Sequence, residues 1–298
     1  MTTVASQVSL RGKLLHGELM CRHTSWRVGG PADCFYVPAD VQDLALFLKT
    51  LSPQEAICWI GLGSNLLVRD GGIRGTVIVT SGGLIDLRKI GDTEVRVEAG
   101  VASAKLARFT VEQGLSGAQF FCGIPGTIGG ALAMNAGAFG GETWDIVDTV
   151  ETIDRHGQLR LRERADYVIG YRRVEGPSHE WFVAAHLHLR KGDVAAGKAR
   201  IRSLLARRGQ TQPTQMANAG SVFKNPPGDY AARLIEASGL KGACEGGACV
   251  SELHANFVIN RGKATAADIE RLVEKMREHV RRAQGLTLEL EVRIMGEP

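Results

Sequence analysis

The stretch that decides the fold is GIPGTIGGALAMNAGAFGG, residues 123–141. Apolar side chains are interleaved with its glycines, at Ile124, Ile128, Leu132, Met134 and Phe139. A flexible linker would be rich in small polar residues instead. We therefore predict a packed loop that is pressed against a flat ligand. The alternative is that these glycines only let two elements of the fold cross closely.

A second glycine turn, GLGSN at residues 61–65, follows the apolar run 56–60. Glycines after a strand leave backbone N–H groups unobstructed, which is what a pyrophosphate needs. A lone G-x-G turn is weak evidence, because tight turns produce it too. Neither turn is a Rossmann fingerprint, since the G-x-G-x-x-G spacing with an acidic residue about 20 positions later is not met.

The third segment is NAGSVFKNP, residues 218–226, where one hydroxyl, Ser221, stands among small residues. Gly220 and Ala219 before it allow a ligand or another backbone to approach closely. Lys224 and Asn225 offer donors for an oxyanion or a phosphate. For an isolated segment of this kind, a polar turn between two elements is the simpler explanation.

Six segments, in this order, resemble the flavoprotein family of UDP-N-acetylenolpyruvoylglucosamine reductases, called MurB. They are TSWRVGGPAD (24–33), GLGSNLLVRD (61–70), the 123–141 run, Tyr171-Arg172, NAGSVFKNP (218–226) and EVRIMG (291–296). The resemblance covers nearly the whole chain. It implies noncovalently bound FAD, NADPH as the hydride donor, and reduction of an enolpyruvyl ether to a lactyl ether on a UDP-sugar.

The resemblance also implies the site residues. Arg172 would bind the substrate carboxylate and the developing enolate, Ser221 would donate the proton, and Glu291 would polarise the site or hold a proton in it. The substrate contacts implied or inferred are Tyr171, Lys224, Asn225 and His254. The cofactor contacts are Gly61, Gly63, Ser64, Asn65, Gly123, Pro125, Gly126, Thr127, Ile128, Gly129, Gly130, Asn135 and Ala136.

Several of these roles have alternatives. Arg173 replaces Arg172 if the register is off by one. Glu291 could belong to a solvated polar face, and Asn225 and His254 could be structural hydrogen-bonding groups. Two further basic residues, Arg207 and Arg208, either meet the UDP pyrophosphate or complement a helix C-terminus.

Composition limits the classes of function. The chain has 298 residues, 44% hydrophobic and 23% charged, with a net charge of +4. That charge suits anionic small ligands, but there is no basic stripe typical of a nucleic-acid binder. No run approaches the roughly 18 apolar residues of a membrane span, and residues 1–15 lack the apolar core of a signal peptide. We expect a cytoplasmic monomer without a metal site, with reduced cysteines; a Cys244–Cys249 disulfide is conceivable but not indicated.

The predicted fold class is α+β, with an FAD-binding architecture of two subdomains with mixed sheets and a smaller α/β substrate-binding domain. The predicted divisions are 1–62, 63–192, 193–285 and a C-terminal strand, 286–298, that returns to the active site. Predicted helices cover 41–48, 103–113, 193–208, 230–238 and 266–284. Predicted strands cover 56–60, 77–80, 95–99, 146–153, 159–162, 181–189, 256–259 and 287–295, with 146–189 contributing to one mixed sheet.

One departure from the family pattern indicates a subtype. Some members carry a longer insertion after the Tyr-Arg motif, but only a short EGPSH turn separates Arg173 from Trp181 here. We therefore expect the short-loop subtype. The rival functions are a flavin oxidase of related architecture, often with a covalently tethered flavin, and a non-enzymatic dinucleotide-binding module that would lose the Ser–Arg–Glu set.

Overall fold

The computed structural model describes residues 9–298. Its α-helices are α1 (Val41–Thr50), α2 (Ser103–Glu112), α3 (Ile128–Met134), α4 (Val194–Thr211), α5 (Ala231–Ala237) and α6 (Ala266–Gln284). Its strands are β1 (Lys13–Leu19), β2 (Pro31–Val37), β3 (Ile57–Ile60), β4 (Leu66–Val68), β5 (Ile73–Val79), β6 (Leu87–Lys89), β7 (Glu94–Glu98), β8 (Leu115–Ser116), β9 (Gly137–Ala138), β10 (Gly141–Glu142), β11 (Val147–Asp154), β12 (Leu159–Glu163), β13 (Val168–Gly170), β14 (Arg173–Glu175), β15 (Glu180–His188), β16 (Arg190–Lys191), β17 (Cys244–Glu245), β18 (Ala248–Val250), β19 (Val258–Asn260) and β20 (Arg293–Met295).

The first sheet has the order β1-β2-β5-β3 and is mixed, because β1 is antiparallel to β2 while β5 is parallel to both β2 and β3. Helix α1 makes the crossover from β2 to β3, and the Asp40 side chain caps it by accepting from the Asp43 N–H. Its apolar stripe, at Val41, Leu44, Phe47 and Leu48, is buried. This sheet extends beyond the predicted boundary at residue 62, since β5 lies between β2 and β3.

The second sheet has the order β12-β11-β15-β7-β6. All of its neighbouring strands are antiparallel, so the prediction of one sheet from residues 146–189 is confirmed but the prediction that it is mixed is wrong. The reason is local: a tight turn joins β11 to β12, and another joins β6 to β7, and such turns reverse the chain. Helix α4 packs against α2 and buries Ile201 and Leu204 in the same core as the second sheet.

A third core forms around α5, α6 and the small sheet β17-β18-β19. Helix α6 begins with a capping box between Thr265 and Asp268 and ends at Gly285, whose φ of 69° is the left-handed conformation expected after a helix. Trp26, from the chain between β1 and β2, inserts into this core and its indole N–H donates to the Val258 carbonyl at 2.7 Å. The N-terminal and C-terminal regions therefore share one core.

The C-terminal segment differs from its prediction. Regular strand pairing covers only β20, which runs parallel to β4, and Glu291 precedes it. The N–H groups of Glu291 and Val292 both donate to the Val222 carbonyl, at 2.8 and 3.3 Å, which interrupts the ladder. The packing still alternates along the segment as in a strand, since Leu288, Leu290, Val292 and Ile294 all contact the third core.

The expectation of reduced cysteines is wrong for one pair. Cys244 and Cys249 lie directly opposite each other on β17 and β18 and form a disulfide. Sequence spacing could not reveal this pairing, because it depends on the hairpin register. Cys122 is buried in the core beneath the second sheet. Within residues 9–298, no helix has both the length and the apolarity needed to cross a bilayer. The prediction that residues 1–15 lack the apolar core of a signal peptide falls partly on residues 1–8, which lie outside the described residues.

Candidate active site

A cleft of about 1200 Å³ runs between the first two sheets and reaches the third core. Residues 57–66 form one wall, residues 123–139 form another, and the hairpin β13–β14, the serine segment and the C-terminal segment contribute side chains. The two glycine turns predicted to bind a dinucleotide thus meet across one cavity. Ser64 connects them, since its hydroxyl donates to the Pro125 carbonyl at 2.8 Å.

The glycines in these turns are required by close contacts. A Cβ at Gly61 would lie 2.2 Å from the Thr127 Oγ1, and a Cβ at Gly63, where φ is 60°, would lie 2.0 Å from the His23 carbonyl oxygen. Gly126 has a φ of 135°, a conformation that side-chain-bearing residues rarely adopt. These glycines therefore bring the two turns close together, and no side chain obstructs the cleft at these positions.

The turn at residues 61–65 presents free donors. Among residues 9–298, we find no protein acceptor for the backbone N–H groups of Leu62, Gly63, Ser64 or Asn65. The Thr127 hydroxyl is buried on the opposite wall, also without a partner in the described chain. Successive N–H groups that point into a cavity bind anions, so both turns fit the pyrophosphate of a dinucleotide such as FAD.

Arg172 lies at the tip of the β13–β14 hairpin, where Gly170 pairs with Arg173. Its φ of 52° is the left-handed conformation that normally favours glycine, so the surrounding contacts must hold it there. Its Nε donates to the Glu291 Oε1 at 2.9 Å, and its terminal nitrogens donate to the Asn135 and Gly137 carbonyls at 3.3 and 3.1 Å. These contacts fix the guanidinium in the cleft.

Glu291 supplies the carboxylate of this pair. Its side chain is only 14% exposed. Burial raises the pKa of Glu291, while the nearby Arg172 and, more weakly, Lys224 act in the opposite direction. On the backbone, the Asn65 side chain donates to the Glu291 carbonyl at 3.0 Å. The glycine turn and the C-terminal segment are therefore directly connected, and a carboxyl group with a raised pKa faces the cleft.

Ser221 lines the same cleft as Arg172 and Glu291. The turn before it is closed by Gly220, with a φ of 78°, whose N–H donates to the Asn218 Oδ1 at 3.0 Å. Behind it, the Asn256 amide pairs with both backbone groups of Phe223, at 3.0 and 2.8 Å. Within residues 9–298 no hydrogen bond involves the Ser221 side chain, so its hydroxyl is available to a ligand.

Comparisons with known proteins agree with this geometry. Two family models match: the C-terminal domain of UDP-N-acetylenolpyruvoylglucosamine reductase (MurB) at residues 212–295, and an FAD-binding domain at residues 32–161. A protein of that name from Alkalilimnicola ehrlichii is 60% identical over 96% of both chains, and one from Methylococcus capsulatus is 58% identical over 96% of this chain and 94% of its own. The crystal structure of the Thermus caldophilus reductase superposes with a TM-score of 0.81, at 31% identity, over 96% of this chain and 99% of that one.

The chain belongs to the UDP-N-acetylenolpyruvoylglucosamine reductase family. It is an FAD-dependent oxidoreductase, and the oxidase alternative is not favoured. The sequence prediction of family, fold class and main function is thereby confirmed. The cofactor is not part of the structure, but the free N–H groups and close-set glycines fit it.

Most of the predicted cofactor residues line the reductase cleft. Those that do so are Gly61, Gly63, Ser64, Asn65, Gly123, Pro125, Gly126, Thr127, Gly129, Gly130 and Ala136. Ile128 and Asn135 are buried behind it instead. The Asn135 amide donates to Glu142 at 2.7 Å and accepts from the Trp144 N–H at 3.1 Å, so it supports the loop from behind.

The predicted substrate residues of this reductase divide into two groups. His254 lines the cleft, where burial lowers its pKa; its Nδ1 accepts from the Asn256 N–H at 3.3 Å, which leaves the proton of the neutral ring on Nε2. Lys224 does not line the cleft and pairs with Glu289 at 2.5 Å. Tyr171 and Asn225 do not line the cleft either, and the Asn225 N–H donates to the Tyr171 hydroxyl at 3.4 Å.

The sequence prediction missed several residues that line the reductase cleft. They are Trp59, Tyr167 and Trp181, with the two tryptophan rings stacked 5.0 Å apart, and Arg293, the first residue of β20. Trp59 lies in β3, the strand that leads into the 61–65 turn, and this position is a signal that the sequence offered. Tyr167 and Trp181 carry no comparable signal, because the hairpin and β15 meet the cleft only in the folded chain.

Proposed function

We propose that this protein reduces the enolpyruvyl ether of UDP-N-acetylglucosamine enolpyruvate to the lactyl ether of UDP-N-acetylmuramate, with NADPH as the reductant. The observation that carries the proposal is the ion pair between Arg172 and the mostly buried Glu291 in the cleft that Ser221 also lines. The names of the relatives give the substrate class. Formation of a peptidoglycan precursor in the cytoplasm, by a monomer, is part of the same proposal.

FAD, when bound, supplies the hydride carrier between NADPH and the enolpyruvyl double bond. Hydride addition to one carbon of that bond leaves negative charge on the enolate formed with the substrate carboxylate. Arg172 stabilises this charge, since a guanidinium fixed by three acceptors loses little entropy when it binds an oxyanion. Its contact with Glu291 orients it toward the cleft.

Ser221 donates the proton that completes the reduction. A hydroxyl is a weak acid, so it can protonate only a strongly basic centre such as the enolate carbon. The position of Ser221, on a turn held by Gly220 and Asn256, keeps the hydroxyl on one side of the cleft. Glu291 has a raised pKa and can share a proton with the site, which keeps the local charge low when the anionic substrate binds.

Anaerobic absorption spectroscopy tests this proposal in two additions. The purified protein is expected to be yellow, and denaturation should release intact FAD. NADPH should bleach the flavin absorption, and UDP-N-acetylglucosamine enolpyruvate should then restore it with formation of UDP-N-acetylmuramate. Bleaching without recovery on adding the enolpyruvyl substrate would reject this substrate, and flavin that stays attached to the polypeptide would favour the oxidase alternative.

A further inference from the structure

A buried asparagine, Asn256, lies in the connection between β18 and β19 and is only 2% exposed. This connection is closed at its base, since the Ser251 N–H donates to the Phe257 carbonyl at 2.8 Å. Asn256 is therefore held in a short, fixed loop. It does not line the cleft, so any effect that it has on the chemistry passes through the residues that it contacts.

Asn256 contacts the two residues that follow Ser221. Its backbone carbonyl accepts from the Val222 N–H at 2.9 Å. Its side-chain amide accepts from the Phe223 N–H at 3.0 Å and donates to the Phe223 carbonyl at 2.8 Å. Val222 and Phe223 are fully buried, so a backbone group that lost its partner here would be costly. The amide thus pairs with Phe223 as the peptide group of a neighbouring strand would.

The opposite edge of this stretch pairs with the segment that carries Glu291. Phe223 forms an antiparallel bridge with Leu290. The Val222 carbonyl accepts from the Glu291 N–H at 2.8 Å. The peptide group between Val222 and Phe223 is therefore bonded on both sides: its N–H donates to the Asn256 side chain, and its carbonyl accepts from the backbone of the Glu291 segment. Hydrogen bonds in such a chain strengthen one another.

We propose that Asn256 is a positioning residue for the proton transfer. By holding the two residues after Ser221 against the segment that carries Glu291, it fixes where the hydroxyl lies relative to the carboxyl group. Proton transfer needs this precision, because a displacement of about 1 Å can slow a reaction on the order of 10²-fold. The inference rests on the proposed function, since it requires Ser221 to be the donor to the enolate carbon.

The test compares Asn256→Leu with Asn260→Leu as the matched control. Asn260 ends β19, and its side-chain amide bonds instead with Trp26, Gly262 and Ala264. Stopped-flow absorption follows flavin reduction by NADPH and anaerobic reoxidation by the enolpyruvyl substrate. In Asn256→Leu, reoxidation should slow roughly 10- to 100-fold while reduction by NADPH is unchanged. Asn260→Leu should lower the thermal stability as Asn256→Leu does, yet keep both rates.

Two further variants separate positioning from folding. Asn256→Asp keeps the shape of the side chain and the acceptor for the Phe223 N–H but loses the donor to the Phe223 carbonyl. It should fold even if the leucine variant does not, and it should slow reoxidation by an intermediate factor. In the Ser221→Ala background the positioned hydroxyl is absent, so adding Asn256→Leu should slow reoxidation by no more than about twofold further.

Three outcomes would overturn the inference. The first is reoxidation at the wild-type rate in a folded Asn256 variant. The second is equal slowing of both half-reactions, and the third is the same slowing by Asn256→Leu with and without the Ser221 hydroxyl; either would make Asn256 a residue that supports the fold alone. A wild-type protein that the enolpyruvyl substrate does not reoxidise would instead contradict the proposed function, and this inference with it.

Discussion

Arg172 and Glu291 are 119 residues apart in the chain, yet the arginine Nε lies 2.9 Å from the carboxylate Oε1. The pair joins the tip of the β13–β14 hairpin to the segment before β20, and both side chains are more than four-fifths buried. It also holds Arg172 in a left-handed backbone conformation. The strain of that conformation, of order 1–3 kcal/mol for such residues, is offset by contacts that fix the guanidinium in the cleft.

The geometry of Arg172 predicts that its charge alone is not sufficient. Arg172→Lys keeps the charge but loses the planar donors, so turnover should fall by roughly 10²- to 10³-fold with FAD content unchanged. Steady-state kinetics and the flavin-to-protein ratio measure the two effects. Arg173→Lys is the control, because Arg173 is exposed and, among residues 9–298, forms an ion pair only with Glu175 on the same hairpin. Greater damage from Arg173→Lys would show that the register is wrong.

The raised pKa of Glu291 predicts a pH dependence of stability. Because burial makes the folded protein hold this proton more tightly than the unfolded chain, the stabilisation is complete below about pH 4.3, the ordinary carboxyl value, and is lost as pH rises through the folded pKa. The free energy of unfolding of the wild type minus that of Glu291→Gln should therefore decrease as pH increases from that value.

Urea denaturation at several pH values measures this difference in the free energy of unfolding between wild type and Glu291→Gln. Glu289→Gln is the control for loss of a carboxylate, since the Glu289 side chain is 74% exposed. A difference that grows with pH would mean that Arg172 outweighs burial at this site.

The glycine turns predict different effects for two alanine substitutions. A Cβ at Gly130 would lie in open space beside the cleft, 3.9 Å from the nearest atom, and alanine favours helix α3 by about 1 kcal/mol. Gly130→Ala should therefore leave the apoprotein at least as stable as the wild type, yet weaken FAD binding because the methyl group enters the cofactor space.

Gly63→Ala should lower both the stability of the apoprotein and its affinity for FAD, because the added Cβ would clash with the His23 carbonyl oxygen and the φ of this residue is positive. Thermal unfolding of the apoproteins and FAD titration separate the two cases. Unchanged FAD affinity in Gly130→Ala would remove this residue from the cofactor site.

The sequence predicted those features that depend on local chemistry. Helix α1 begins after its capping residue Asp40, and the two glycine turns do meet at one cavity. The family resemblance, rather than any local pattern, pointed to Arg172 and Glu291, because nothing in the residues near either one reveals the other. The left-handed φ of Arg172 and the interruption of the ladder at Glu291 both arise from tertiary contacts. The Cys244–Cys249 pairing was missed because it depends on hairpin register.

The most direct test of the central claim, that Ser221 donates the proton to the reduced substrate, is stopped-flow measurement of both half-reactions in Ser221→Ala. Reduction of the flavin by NADPH does not use this proton, whereas reoxidation by the enolpyruvyl substrate does. We predict normal bleaching with NADPH and anaerobic reoxidation slowed by a factor on the order of 10²–10⁴, with partial recovery in Ser221→Cys. Equal slowing of both half-reactions, or no slowing of either, would contradict the account.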